Sequence, residues 1–248
     1  GVSGGRCSFS RMRFPSWPIA LCFFLSLPVS ANEDPLAELL PRLAAAEQAR
    51  EQRRQGRTTL ATTVWEELDD EGKTKSRLES VERNEWREGK RASTVVRATQ
   101  DGKDITGKVR EQRAKEEKAR AERKEKHFQL DYLPFSPREQ GRYRFEVKGP
   151  DSRQPHLLRI AFAPKEGGKC PDGLVGEALV DGSRGELLRI STRPTQLPKL
   201  ADKVDITLEF DASGAQGREL SRILATGEGG VLFIKRRVRS TTTFSYAP

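Results

Sequence analysis

The chain has little of what most catalytic centres are built from. Its 248 residues include two histidines, His127 and His156, and three cysteines, Cys7, Cys22 and Cys170. Neither histidine has a second histidine or a cysteine at metal-ligand spacing. No Gly-x-Ser-x-Gly elbow and no Ser-x-x-Lys occurs. Gly72-Lys73-Thr74 mimics the end of a phosphate loop, but Glu67 stands where its first glycine is needed. Gly227-x-Gly229 lacks a third glycine, and Asp69-Asp70 reads as a solvated turn. No enzyme, metal or cofactor is therefore expected. Apolar material is also short, at 35% hydrophobic against 33% charged residues. That excludes a sheet buried on both faces and favours one-faced antiparallel sheets.

The one sustained apolar run, Ile19–Leu27, is too short to span a membrane and is flanked by Pro15, Pro18 and Pro28. With Arg11 and Arg13 before it and Val29-Ser30-Ala31 after it, it reads as a secretory signal cut after Ala31. Met12, the single methionine, is the expected start of translation. The cut removes Arg6, Arg11 and Arg13 and no acidic residue, so the exported domain, 32–248, stays basic. Leu21 before Cys22 is too bulky for a lipoprotein signal, so the protein reads as periplasmic and unlipidated. Cys170 alone survives the cut. It makes no internal disulfide, and its place in the 167–171 loop makes it look dispensable.

Asp34-Pro35 is a helix start. Leu36, Leu39, Leu40 and Leu43 then form an apolar stripe, interrupted at Pro41, and Gly56 stops the helix. This is the chain's long amphipathic helix. Three strands follow, Thr58–Leu68, Lys75–Trp86 and Arg91–Thr99, each with few large apolar residues, and Trp65 and Trp86 read as core. Arg110–Lys126 differs in kind, with eight basic and five acidic residues among seventeen. Glu111–Lys115, Glu116–Arg120 and Glu122–Lys126 are spaced for i, i+4 pairs. No face is apolar, so a solvated helix or linker inserted at about 107–127 is expected. The interleaved acids and the export signal argue against nucleic acid as a partner.

From the aromatic stretch Phe128–Phe135 onward the alternation is clean. Tyr143, Phe145 and Val147 form one inward row, and Leu158, Ile160 and Phe162 the next. Val204, Ile206, Leu208 and Phe210 form a third. Between the last two rows lies a hairpin, Leu174–Asp181 and Glu186–Arg193 around Gly182–Gly185. Its return strand places Leu188, Ile190 and Thr192 on one face and Leu187 on the other. Gly227–Gly230 reads as a turn into a last strand, Val231–Phe244. Consecutive strands with one apolar face and one amphipathic helix give a mainly β, α+β fold. The expected form is a curved antiparallel half-barrel around the N-terminal helix.

The hairpin's pattern, G-x-x-G-x-A-x-V-D, a tight turn, then G-E-L-L-R-I-x-x-R-P, resembles the central hairpin of the LolA-like half-barrels. These are periplasmic lipoprotein carriers and outer-membrane lipoprotein-sorting proteins. The resemblance covers most of 36–248 apart from the charged insertion, which the carriers lack. It implies an apolar cavity that shelters the acyl chains of lipids or lipoproteins during transport across the cell envelope. It also implies a monomer with a partner protein at the inner or outer membrane. Candidate walls of such a cavity are Phe145, Ile160, Phe162, Ile206, Leu208 and Phe210, with Leu36, Leu39, Leu40 and Leu43 as its lid. The other reading is a non-transporting interaction or envelope-sensor module whose interior is filled core. Alternation alone does not separate wall from core.

Overall fold

A computed structural model of the protein describes residues 35–87, 90–123, 133–166, 170, 172–197, 200–212, 217–231 and 234–246. The expected signal segment and cleavage site lie outside these residues, as do Phe128–Tyr132.

Helix α1 (Pro35–Arg54) leads into strands β1 (Thr58–Leu68), β2 (Thr74–Arg87), β3 (Lys90–Gln100) and the two-residue β4 (Lys103–Asp104). After helix α2 (Thr106–Arg123) come β5 (Tyr143–Pro150), β6 (Leu157–Pro164), β7 (Leu174–Asp181) and β8 (Glu186–Pro194). The last strands are β9 (Ala201–Ala212), β10 (Arg218–Val231) and β11 (Ile234–Tyr246). All eleven strands form one open sheet in the order β4-β3-β2-β1-β11-β10-β9-β8-β7-β6-β5. Every ladder is antiparallel, so the fold is the expected α+β half-barrel.

The path is not one continuous meander. β1–β4 run from the middle of the sheet to one edge, and the chain then crosses to the other edge at β5. From β5 the strands return to the middle, where β11 closes on β1 through ten residue pairs, Thr59↔Tyr246 to Leu68↔Arg237. The charged segment is thus the connection between the two edges. α2 is helical, as its i, i+4 pairs favour, and Lys115 Nζ lies 2.6 Å from Glu111. It docks on β3 by its first turns alone. Thr106 Oγ1 accepts from the Ala98 N–H at 2.9 Å, and Arg110 Nε donates to the Val95 carbonyl at 2.8 Å.

The core sits between α1 and β5–β10. Leu39 and Leu43 from α1 meet Ile160, Phe162, Ala178, Ile190, Leu208 and Phe210. Leu133 and Phe135, the described end of the aromatic stretch, enter the same core, with Phe135 fully buried against Phe145 and Phe162. The close curl of the sheet is visible at Gly176, where a Cβ would lie 2.1 Å from the Ser191 carbonyl oxygen. Only glycine lets the two backbones approach so closely.

Three expectations change. Leu187, not Leu188, joins the core. A register shift pairs Leu179 with Arg189 and Val180 with Leu187, leaving Leu188 as the extra residue of a bulge. Gly227–Gly230 is not a turn, because β10 runs through it to Val231, with Gly227 opposite Val238. Cys170 is buried at 4% exposure rather than lying on a surface loop. Arg142 Nη2 approaches its sulfur at 3.0 Å, and the same guanidinium holds Asp172 at 3.0 Å.

Candidate binding face

The structure brings all ten candidate residues into one cluster. Leu39, Leu43, Ile160, Phe162, Ile206, Leu208 and Phe210 are buried members of it, and Leu36, Leu40 and Phe145 pack against it. They touch one another as core residues do. The inward face can be followed across the strands by pairing. Ile190 lies opposite Leu208 and Leu208 opposite Ile223. Ile223 lies opposite Thr242 and Thr242 opposite Thr63. Along this row the chemistry changes at β11. Aliphatic residues give way to hydroxyls, and Thr63 and Thr242 share a 2.9 Å hydrogen bond. Further along, Thr59, Ser80 and Asn84 are buried among Ala61, Ala98 and Trp86.

α1 crosses one end of the strands. Arg42 donates to the carbonyls of Gly182 and Ser183 in the β7–β8 turn. Farther along, Arg50 stacks over the Phe210 ring at 5.0 Å and Arg54 over the Trp86 ring at 4.6 Å. Arg53 donates to Glu219 Oε1 at 2.6 Å. Glu47 and Arg50 form a buried pair. Burial pushes the Glu47 carboxyl up, against the pull of Arg50 and Arg54. Burial likewise raises the Tyr246 hydroxyl, to about 12, and that hydroxyl donates to the Leu220 carbonyl at 2.6 Å.

At the other end of the strands the inward face opens into a cleft of about 510 Å³. Val204, Gly227 and Val238 form its floor as a paired row, and Leu200 and Arg236 stand at its rim. Val204 packs against the core cluster, so the cleft continues from it. Gly227 contributes no side chain, and a Cβ there would meet Val238 at 3.1 Å. Leu200 is 66% exposed at its edge. Arg236 lies 3.9 Å from Glu67, which faces Val238 across the β1–β11 ladder. Sequence reasoning missed this place because it took the glycines for a turn. The signal was there in Thr226-Gly-Glu-Gly-Gly, glycines inside a long strand, which mark a bulge or a close approach.

A second space, a trough of about 910 Å³, lies on the outer face across β5–β9. Its floor is the backbone of the paired row Phe145, Phe162, Gly176, Thr192 and Ile206, in which Phe145, Phe162 and Ile206 give their side chains to the core and Gly176 has none. Small outward residues, among them Ala161, Ala163 and Ser191, leave it shallow. Among the described residues there is no cluster of three or more metal-ligating side chains, and no helix is long and apolar enough to cross a membrane.

No protein-family profile matches the chain, and no curated protein matches it. Among solved structures it is similar to a domain named for outer membrane lipoprotein sorting from Vibrio parahaemolyticus. The identity is 11%, the match covers 84% of this chain and 93% of that one, and the TM-score is 0.36. It is also similar to MucB in complex with MucA(peri), at 12% identity, with 84% and 93% covered and a TM-score of 0.24. The MucA/MucB complex of Pseudomonas aeruginosa gives 11% identity, 82% and 94% coverage and a TM-score of 0.23. Scores this low do not bear on function.

Proposed function

We propose that this chain is a non-catalytic binding protein of the periplasm that shelters an acyl chain of a lipid or lipoprotein on its concave face, in the service of lipoprotein sorting. The observation that carries this reading is the 510 Å³ cleft, which continues the apolar core into open space. Its volume falls in the range of ligand pockets, roughly 300–1,000 Å³. Taking acyl carbons out of water is favourable by about 0.8 kcal/mol per CH₂, so a carrier needs such a surface and little chemistry besides. The ten inward residues first read as wall and lid then serve as the dry backing of the site. Their burial against one another supports the second reading, a non-transporting interaction or sensor module with a filled interior.

The two readings separate by experiment. The protein is expressed in the periplasm and its native mass spectrum compared with that of delipidated material. Titration with a fluorescent fatty acid follows. Co-purified lipid and saturable probe binding are expected, with at least a tenfold loss of probe affinity in Val238→Gln at an unchanged melting temperature. A wild type that carries no lipid and never binds the probe overturns the carrier reading and leaves the interaction module.

A further inference from the structure

Leu200, the residue before β9, has a φ of 71°, in the left-handed region that a leucine rarely adopts. The backbone of β10 holds it there. The Leu200 carbonyl accepts the Gly230 N–H at 2.9 Å. Gly229 permits the approach, since a Cβ there would lie 2.0 Å from the same carbonyl oxygen. The β9–β10 register also shifts at this point, pairing Glu228 with Lys203 and Gly229 with Ala201, so that Asp202 is the extra residue of a bulge. A bulge and a positive φ both re-aim the chain. The side chain they deliver to the rim of the apolar cleft is a leucine, 66% exposed. Strained backbone that its surroundings hold in place clusters at ligand clamps.

The cleft that Leu200 borders is small and bounded. Its floor is the single paired row Val204, Gly227 and Val238. On the core side the buried Ile206 ends the open space. Beyond Val238 stands Glu67 on β1, whose carboxylate a second chain laid alongside would meet. A methylene takes about as much room as a water in its liquid, roughly 30 Å³, so the cleft of about 510 Å³ holds on the order of seventeen. That is one long acyl chain. We infer that the cleft takes a single acyl chain and that Leu200 clamps it against the glycine floor. This rests on the acyl-binding reading above and narrows it to a one-chain amphiphile, a fatty acid or a lysophospholipid. A two-chain lipid would leave its second chain in water.

The test offers the full chain cholate micelles that hold palmitate, palmitoyl lysophosphatidylcholine and dipalmitoylphosphatidylcholine in equal amounts. The protein is separated by gel filtration, and its lipid is extracted and counted as acyl chains per protein. One acyl chain per protein is expected, with the one-chain lipids favoured at least tenfold over the two-chain lipid. The ratio of palmitate to lysophosphatidylcholine identifies the source of the chain. Leu200→Gly should retain at least tenfold less lipid at an unchanged or higher Tm, because glycine takes the positive φ freely. Leu200→Met keeps a long apolar side chain and should retain as much as the wild type. The inference is overturned if the wild type retains no lipid or carries two or more chains, if the two-chain lipid is retained as strongly as the others, or if Leu200→Gly matches the wild type. Should any of these occur while the wild type still binds the fluorescent fatty acid, the acyl reading survives alone. Should that probe fail to bind as well, both fall.

Discussion

Replacing Leu208 with glutamine should unfold this protein early, and the size of the loss follows from where Leu208 sits. It is 1% exposed, between Ile190 on β8 and Ile223 on β10. Removing a fully buried leucine forfeits about 1.5–3 kcal/mol of transfer free energy. The amide that replaces it has no partner among aliphatic neighbours, which adds about 1–3 kcal/mol. Together these give roughly 2.5–6 kcal/mol, a large part of the stability of an ordinary domain. At about 2–4 °C per kcal/mol for a chain of this size, Tm should fall by roughly 5–24 °C. Urea melts followed by circular dichroism measure the free energy, and Leu208→Met should stay within about 1.5 kcal/mol as the volume-conserving control. A glutamine variant that melts within about 1 kcal/mol of the wild type would refute the reasoning. It would mean that water reaches Leu208, and would return the inward rows from core to cavity wall.

Three further outcomes are expected. Gly176→Ala should cost about 3 kcal/mol or more, since its Cβ meets the Ser191 carbonyl oxygen at 2.1 Å; an unmoved urea midpoint would show that the strands do not approach so closely. Cys170 should react with iodoacetamide at pH 8 more slowly than a free thiol, because burial and then the Asp172 hydrogen bond raise its pKa and shrink the thiolate fraction. Alkylation at the rate of an unfolded control would contradict this. Deleting Glu111–Arg123 behind a Gly/Ser linker should shift stability by no more than about 1 kcal/mol. It removes the half-exposed Arg113–Glu82 pair but spares Thr106 and Arg110, so a deletion protein that fails to fold would assign the helix a packing role.

What could be read from the sequence was what repeats. Alternation in β5, β6 and β9 and the leucine spacing of α1 gave both the fold class and the set of residues that meet in the core, because period is a local property. Local pattern fails where one residue is added or a side chain is removed. Leu187 and Leu188 are equally apolar, and only the bulge opposite Leu179 and Val180 decides which turns inward. Gly227 and Gly229 suit a turn as well as a strand, and pairing with Val238 and Arg236 settles the matter. Cys170 has no periodic neighbour, so its burial depends on Arg142, 28 residues away. The β1–β11 closure also joins segments distant in sequence, and no local signal marks it.

The change in character along α1 matches the change along the sheet, and this bears on where a ligand can sit. The first half of the helix offers Leu36, Leu39, Leu40 and Leu43 to the aliphatic rows of β5–β10. Its second half offers Glu47, Arg50, Arg53 and Arg54, which meet Phe210, Glu219 and Trp86. Beyond β10 the row through Ile223 continues as the hydroxyls of Thr242 and Thr63, and an acyl chain laid there would leave buried polar groups without water. Within the aliphatic rows the side chains already fill the space. The row Val204, Gly227 and Val238 crosses from the aliphatic strands onto β11, where Val238 is still apolar. There a strand is still apolar on one side and has no side chain at its centre. The cleft lies where the core stops being filled and before the face becomes polar, so the glycines of β10 set the position of the binding surface.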